Sequence, residues 1–357
     1  MMVLHSTPFV GALLSFLDKD GSEGRTALLK ATFEIRSDGL LQIAEEQEPI
    51  CFTDQHIGDP TSSSMIYPSD GAHRKLATDI LVIGGAYAPG GRPTPSFRIS
   101  LSVGRAQKDI AVFGDRCWTY SRFNGVSMSQ PSPCTEVPLC WERAFGGEEP
   151  LRSAPDQRQW EKRNPIGTGF RLTKSKESLD GLALPNLEDP EHLIQSWEDK
   201  PAPQNMGCVG RSWMPRSQYA GTYDEAWQQE RMPIPPQDFD DRFFHAATAG
   251  LVYPGYLIGG EAVRAFNLSK AAIVEFNLPT MHVTFRGTSR KKTFQAPGLL
   301  DTVAFKFDMH RVILVWRYTY TVSLSEPADS VSADITVGQG LGHGQCAVRE
   351  RTRCQSP

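Results

Sequence analysis

No stretch of this chain approaches the ~18 consecutive apolar residues of a membrane-spanning helix. The apolar stretch nearest the N-terminus, Phe9 to Leu17, is broken by Gly11 and Ser15 and has no basic leader before it. It therefore does not read as a signal peptide, and a cytoplasmic protein is expected. An excess of one charge is missing too: 37 Lys and Arg stand against 41 Asp and Glu, a net charge of -4. That balance offers nothing to attract nucleic acid or an anionic membrane surface. Seven cysteines are present, but no two are spaced C-x-x-C, so neither a zinc site nor a thioredoxin-type motif is suggested. They read as free thiols of a reducing cytosol.

The motifs of common chemistries are also lacking. Eight His are scattered with no H-E-x-x-H, and no G-x-S-x-G offers a nucleophile elbow. Gly84-Gly85 and Pro89-Gly90-Gly91 follow an apolar run but match no phosphate loop, and read as turn glycines. Asn164 to Phe170 is another glycine loop, without a phosphate-contacting Lys. Asp238, Asp240 and Asp241 lack the Gly and closing Glu of a calcium loop, and read as capping and solvated carboxylates. The adjacent pairs Asp115-Arg116 and Glu142-Arg143 read as partners for other loops, because no nucleophile or metal ligand accompanies them. No catalytic residue, cofactor or metal is therefore assigned, and the protein reads as a binder and not an enzyme.

What is present is turn-forming residues and short strand patterns. With 31 Gly and 26 Pro the chain turns often. Phe97, Ile99, Leu101 and Val103 alternate with Arg98, Ser100 and Ser102, the period of a half-buried strand, and Asp109 to Phe113 returns. Leu28 to Ile35 and Leu40 to Ala44 flank a Ser-Asp-Gly turn, and Asp79 to Ala88 reads as a buried strand. Strands resume at Met281 to Phe285, Lys292 to Phe294 and Val303 to Phe307. Gly287-Thr288-Ser289 is expected to turn the first pair, and Val312 to Val322 returns past a turn near Met309-His310. A single core rarely grows past ~250–300 residues, so 357 residues predict more than one unit. The expectation is a mainly β protein with two antiparallel β-sandwich-like domains, residues 1–145 and 255–325. A long irregular Pro- and Trp-rich segment, 146–254, bridges them, and residues 326–357 form a mobile tail.

Five of the seven Trp lie between Trp141 and Trp227, four of them in that central segment. Its best helix pattern is Thr222 to Arg231, with Thr222 as cap, and Pro236 to Phe244 is a second short candidate. Long irregular segments on a sheet scaffold often carry binding residues, and Trp, Phe, Tyr and Arg anchor interfaces. The candidate partner contacts are Trp160, Phe170, Trp197 and Trp213 in its first part. Arg216, Tyr223, Trp227, Phe239 and Phe243 follow further on. An alternative is a carbohydrate-active or carbohydrate-binding β-sandwich, since Trp-rich loops also stack on sugars.

Seven stretches in order carry a family resemblance: DILVIGGAYAPGG (79–91), VFGDRCW (112–118), WERAFGG (141–147), NPIGTGF (164–170), LPNLEDP (184–190), AGTYDEAW (220–227) and PQDFDDRFF (236–244). Together they resemble the bacterial domain-of-unknown-function 2169 family, found in type VI secretion gene clusters. The resemblance covers roughly residues 25–285. It implies a cytoplasmic adaptor or chaperone acting beside PAAR-like spike-tip proteins, effector toxins and VgrG spikes. It carries over no catalytic residue.

Overall fold

The computed structural model describes residues 3–149, 159–172, 175–289, 292–322 and 331–337. The protein is mainly β, with several antiparallel sheets and few helical turns. In the main sheet the strands run in the order Val10–Leu17, Glu23–Ile35, Arg311–Val322, Leu299–Lys306 and Asp79–Val82, with Leu41–Ile43 also pairing to Glu23–Ile35. All these pairs are antiparallel except Leu299–Lys306 with Asp79–Val82. Both faces of Glu23–Ile35 are covered, so Arg25, Thr26, Lys30 and Thr32 are buried along with its apolar residues. The charge it buries is partnered. Lys30 donates to Asp70 at 2.9 Å and to the Pro49 carbonyl at 2.9 Å, and lies 4.3 Å from the Tyr67 ring centre. Asp70 also accepts from Tyr67 and from the Cys51 amide, so the desolvated pair is fully hydrogen-bonded.

The second sheet is ordered Leu187–Glu188, Ala106–Phe113, Ser96–Val103, Ala262–Phe266 and Ile273–Asn277. Here the alternation is visible: Ile99, Leu101 and Val103 are fully buried and Arg98 is exposed. Lys292–Pro297, Met281–Ser289 and Val331–Val337 make a third sheet. One hydrophobic core runs through all of these, with residues from Val3 to Ala333. No helix among the described residues is long and apolar enough to cross a membrane.

Four expectations need correcting. The division into domains 1–145 and 255–325 is not respected by the hydrogen bonding. Glu23–Ile35 pairs along its length with Arg311–Val322, and Ser96–Val103 pairs with Ala262–Phe266. The reason is that period-two patterning marks strands but not their neighbours, and these sheets are closed by strands distant in sequence. In the expected tail, residues 331–337 form a strand against Met281–Ser289. Val331 and Ala333 are buried between solvent-side Ser332 and Asp334, an alternation hidden beside the Gly-rich text that follows. Residues 326–330 and 338–357 lie outside the described residues. Gly287-Thr288-Ser289 does not turn; all three residues lie within the Met281–Ser289 strand. The expected helix is a short one, Glu225–Glu230, capped by Asp224 and not by Thr222. Lastly, Phe9 to Leu17 supplies the Val10–Leu17 edge strand of the main sheet.

Candidate functional site

The first part of the central segment is drawn inward. Phe145–Gly146 pairs in parallel with Thr168–Gly169, which stitches two of the seven motif stretches together. Asn164, fully buried, donates to the carbonyls of Trp141 at 2.8 Å and Phe145 at 3.0 Å. Arg143 donates to Asp115 at 2.8 Å and to Asn186 at 3.1 Å, and Asn186 donates to the Phe113 carbonyl at 3.0 Å. These contacts bring two further stretches to the same place. Arg116 pairs with Glu188 and lies 3.8 Å over the Phe113 ring. Burial pushes the Glu188 carboxyl up and the Arg116 guanidinium down, against the attraction between them. The charged dipeptides Asp115-Arg116 and Glu142-Arg143 thus bond to other loops.

Two glycines show why the stretches need their sequence. Gly147 has φ +97°, and a Cβ there would run into the Gly167 carbonyl. Gly114 is needed for a different reason: a Cβ would enter the space of the Ser132 carbonyl oxygen. Between these loops lies an open groove of about 840 Å³, lined by Asp115, Arg143, Asn186, Ser129, Gln130 and their neighbours. None of its lining residues is aromatic, so it offers no stacking platform for a sugar ring.

The candidate contacts separate into inside and outside. Phe170 is buried and Trp197 half-buried in a small second core with Trp118, Phe145, Leu184 and Ile194. Trp213 is buried, edge-on to Trp141 at 5.7 Å. Arg216 is 4% exposed; it donates to the carbonyls of Val209 at 2.6 Å and Phe243 at 3.1 Å, and burial pulls its guanidinium down to about 10. Phe170, Trp213 and Arg216 therefore serve the interior. Their sequence neighbourhoods are as polar and Pro-rich as those of exposed residues, which hid this. Trp160 is exposed, apart from the rest.

The second part of the segment is a built outer face. Phe239 and Phe243 are half-buried and meet edge-on at 5.7 Å. Phe244 extends this cluster to His73 at 5.1 Å, which stacks on Phe16 at 4.3 Å. Burial lowers the His73 imidazole to about 4. Beyond the cluster, exposed Tyr223 meets half-buried Trp227 edge-on at 4.6 Å. Trp227 donates its indole N–H to the Ile234 carbonyl at 2.9 Å, and its amide donates to Asp224 at 2.8 Å. Thr222 donates its hydroxyl to Asp238 at 2.8 Å, and Arg231 donates to the carbonyls of Lys19 at 2.6 Å and Pro235 at 2.9 Å. Backbone bonding from Thr222 lowers the Asp238 carboxyl. Asp240 pairs with Arg242, and Asp241 with Arg74, so these two carboxylates bind neighbours.

The end of the face is pinned to the main sheet through Asp79, fully buried, which accepts from Lys75, His245 and the Ala246 amide at 2.8 Å each. Met232, 64% exposed beside Trp227, was not among the expected contacts. Its signal in the sequence is an apolar residue in the Pro-rich run MPIPP, where no helix or strand can bury it.

Fold and site define a mainly β protein whose sheets carry a braced, irregular segment with an exposed aromatic face. The chain belongs to the family described as uncharacterized protein conserved in bacteria (DUF2169), which matches residues 20–317. Searches of curated proteins and of solved structures gave no match.

Proposed function

We propose that the protein is a non-enzymatic adaptor or chaperone that holds a PAAR-like spike-tip protein, its effector toxin, or both, and helps load them onto a VgrG spike from the cytoplasm. The secretion setting comes from the family resemblance. The observation that carries the binding reading is the Tyr223–Trp227–Met232 face: two exposed apolar side chains, each adjoining a half-buried Trp through its ring or its backbone. Its backbone is fixed in advance by Arg231, Thr222 and Asp224. Anchors that are already ordered lose little entropy on binding, so most of their contact energy remains as affinity. The mechanism is differential binding: the adaptor covers apolar client surface and yields it when the spike offers a better partner. No bond is made or broken.

Co-expression with PAAR-like, effector and VgrG proteins of the same bacterium tests this. The full chain should co-purify with at least one of them. Tyr223→Ser with Met232→Ser should weaken that association roughly tenfold or more, with an unchanged melt. If none of the three associates with the unaltered chain, the adaptor reading is wrong.

A further inference from the structure

We propose that the face around Trp227 docks a basic, amphipathic segment of a partner protein, with Tyr223 and Met232 as anchors beside the exposed carboxylates of Glu225, Glu230 and Asp238. This rests on the adaptor reading for its setting and adds the chemistry of the client. Tyr223 is 55% exposed and Met232 64% exposed. Both adjoin Trp227: the Tyr223 ring lies 4.6 Å from it, and the Met232 amide donates to its carbonyl at 3.1 Å. An exposed ring and an exposed thioether, both next to Trp227, offer apolar surface suited to another protein.

The charge around them is predominantly negative. Residues 18–20 and 222–242 hold eight Asp and Glu against three Lys and Arg, an excess of five in a chain whose net charge is -4. Elsewhere the signs balance. The cations of this face are turned to the backbone or already paired. Lys19 donates to the Phe239 carbonyl at 2.9 Å, and Arg231 to the carbonyls of Lys19 and Pro235. Arg242 pairs with Asp240, while Arg74 reaches in from outside to Asp18 and Asp241. Glu225, Glu230 and Asp238 are exposed and have no ion-pair partner among the described residues. The cations brace the loop, and the carboxylates of Glu225, Glu230 and Asp238 face solvent.

That arrangement selects the occupant. A nucleic acid, an anionic membrane or a second copy of this face would each bring negative charge against negative charge. A basic segment fits: Lys or Arg stems lie along Tyr223 and Met232 while their heads reach the carboxylates, and a guanidinium gains further from the Tyr223 ring.

The test uses the full chain and three synthetic probes: a peptide alternating Lys with Leu and Trp, its Glu-for-Lys counterpart, and oligo-lysine. Binding is read by fluorescence anisotropy at ~50 mM and ~500 mM salt. The Lys-Leu-Trp peptide should bind. The Glu counterpart should not, and oligo-lysine and high salt should each weaken binding by roughly tenfold. Glu225→Lys with Glu230→Lys should weaken the basic peptide at least ~10-fold, as should Tyr223→Ser with Met232→Ser. Glu191→Lys with Glu198→Lys, the same charge change at exposed positions elsewhere, should leave it unchanged. Equal binding of the Glu peptide, or an equal loss in the Glu191/Glu198 variant, overturns the proposal. Co-purification with the PAAR-like protein separates the two claims. If the Glu225/Glu230 variant retains that protein fully, the adaptor reading stands and this inference falls. If that protein never binds while the basic peptide does, the face is supported and the adaptor reading falls.

Discussion

The two parts of the central segment are alike in text and opposite in fate. Residues 159–200 and 211–244 are both Trp-bearing and weakly periodic. The first turns Phe170 and Trp197 inward, onto the hairpin formed by Trp118–Ser121 and Gly125–Met128, and closes a second core, with Trp160 left exposed. The second lies at the margin of the main sheet, with Phe244 reaching His73 and Phe16 and with Tyr223 and Met232 outside. Aromatic density alone does not distinguish packing from recognition. The difference lies in what each segment has to pack on: a hairpin with a free apolar face in one case, a run of prolines at a sheet margin in the other.

The largest effect that would sharpen this contrast is expected on the inward side. Gly147→Ala combines a left-handed backbone with a clash against the Gly167 carbonyl, and should cost about 3 kcal/mol or more by urea denaturation. A midpoint shift below a tenth of that would mean that the loops are slack. Asn164→Ala comes next. It strips the Trp141 and Phe145 carbonyls of their buried donor and should cost about 2 kcal/mol.

Where the two parts diverge, pH is a finer probe. The unfolded chain protonates His73 near its ordinary value of about 6.5, whereas the folded chain does so only near about 4. Stability is therefore complete above that window and falls as pH drops through it. Partial solvent access limits the loss to about 1.5 kcal/mol. His73→Phe keeps the stack on Phe16 and should flatten this stretch of the pH profile; an unchanged profile would show that another group titrates there. The smallest stability effect belongs to the outer face. Tyr223→Ser should move the melting midpoint by less than about 0.5 kcal/mol equivalent. A loss as large as that of Asn164→Ala would erase the distinction between the two parts.

Much of the fold could be read from residue order. Alternation gave the Ser96–Val103 and Ala106–Phe113 pair and the Leu299–Lys306 and Arg311–Val322 pair, including the left-handed His310 beside the expected turn. Pairing between distant strands could not be read, because a strand's period says which face is buried and not which strand lies beside it. Of the candidate site, Tyr223 and Trp227 are placed at the surface or near it, while Phe170, Trp213 and Arg216 are interior. Arg216 misleads most. An arginine suggests solvent, but its fork reaches two backbone carbonyls that no neighbouring strand supplies with donors. The charge asymmetry of the outer face was present in the text but diluted by an overall balance near zero.

The pairing of Glu23–Ile35 with Arg311–Val322 places Leu28 opposite Arg317. A ribosome must therefore deliver nearly the whole chain before that strand meets its neighbour, a delay on the order of tens of seconds. Throughout that interval a long apolar segment with one face built around Lys30 waits without its central partner. Its exposed ladder is an open template for other nascent chains. The family match, residues 20–317, begins and ends at this same pair of strands, so the span recognised in the sequence is bounded by the pairing that closes the main sheet. Any shortened gene product ending before residue 311 would leave Glu23–Ile35 permanently unpaired on that side, and inclusion bodies are the expected outcome.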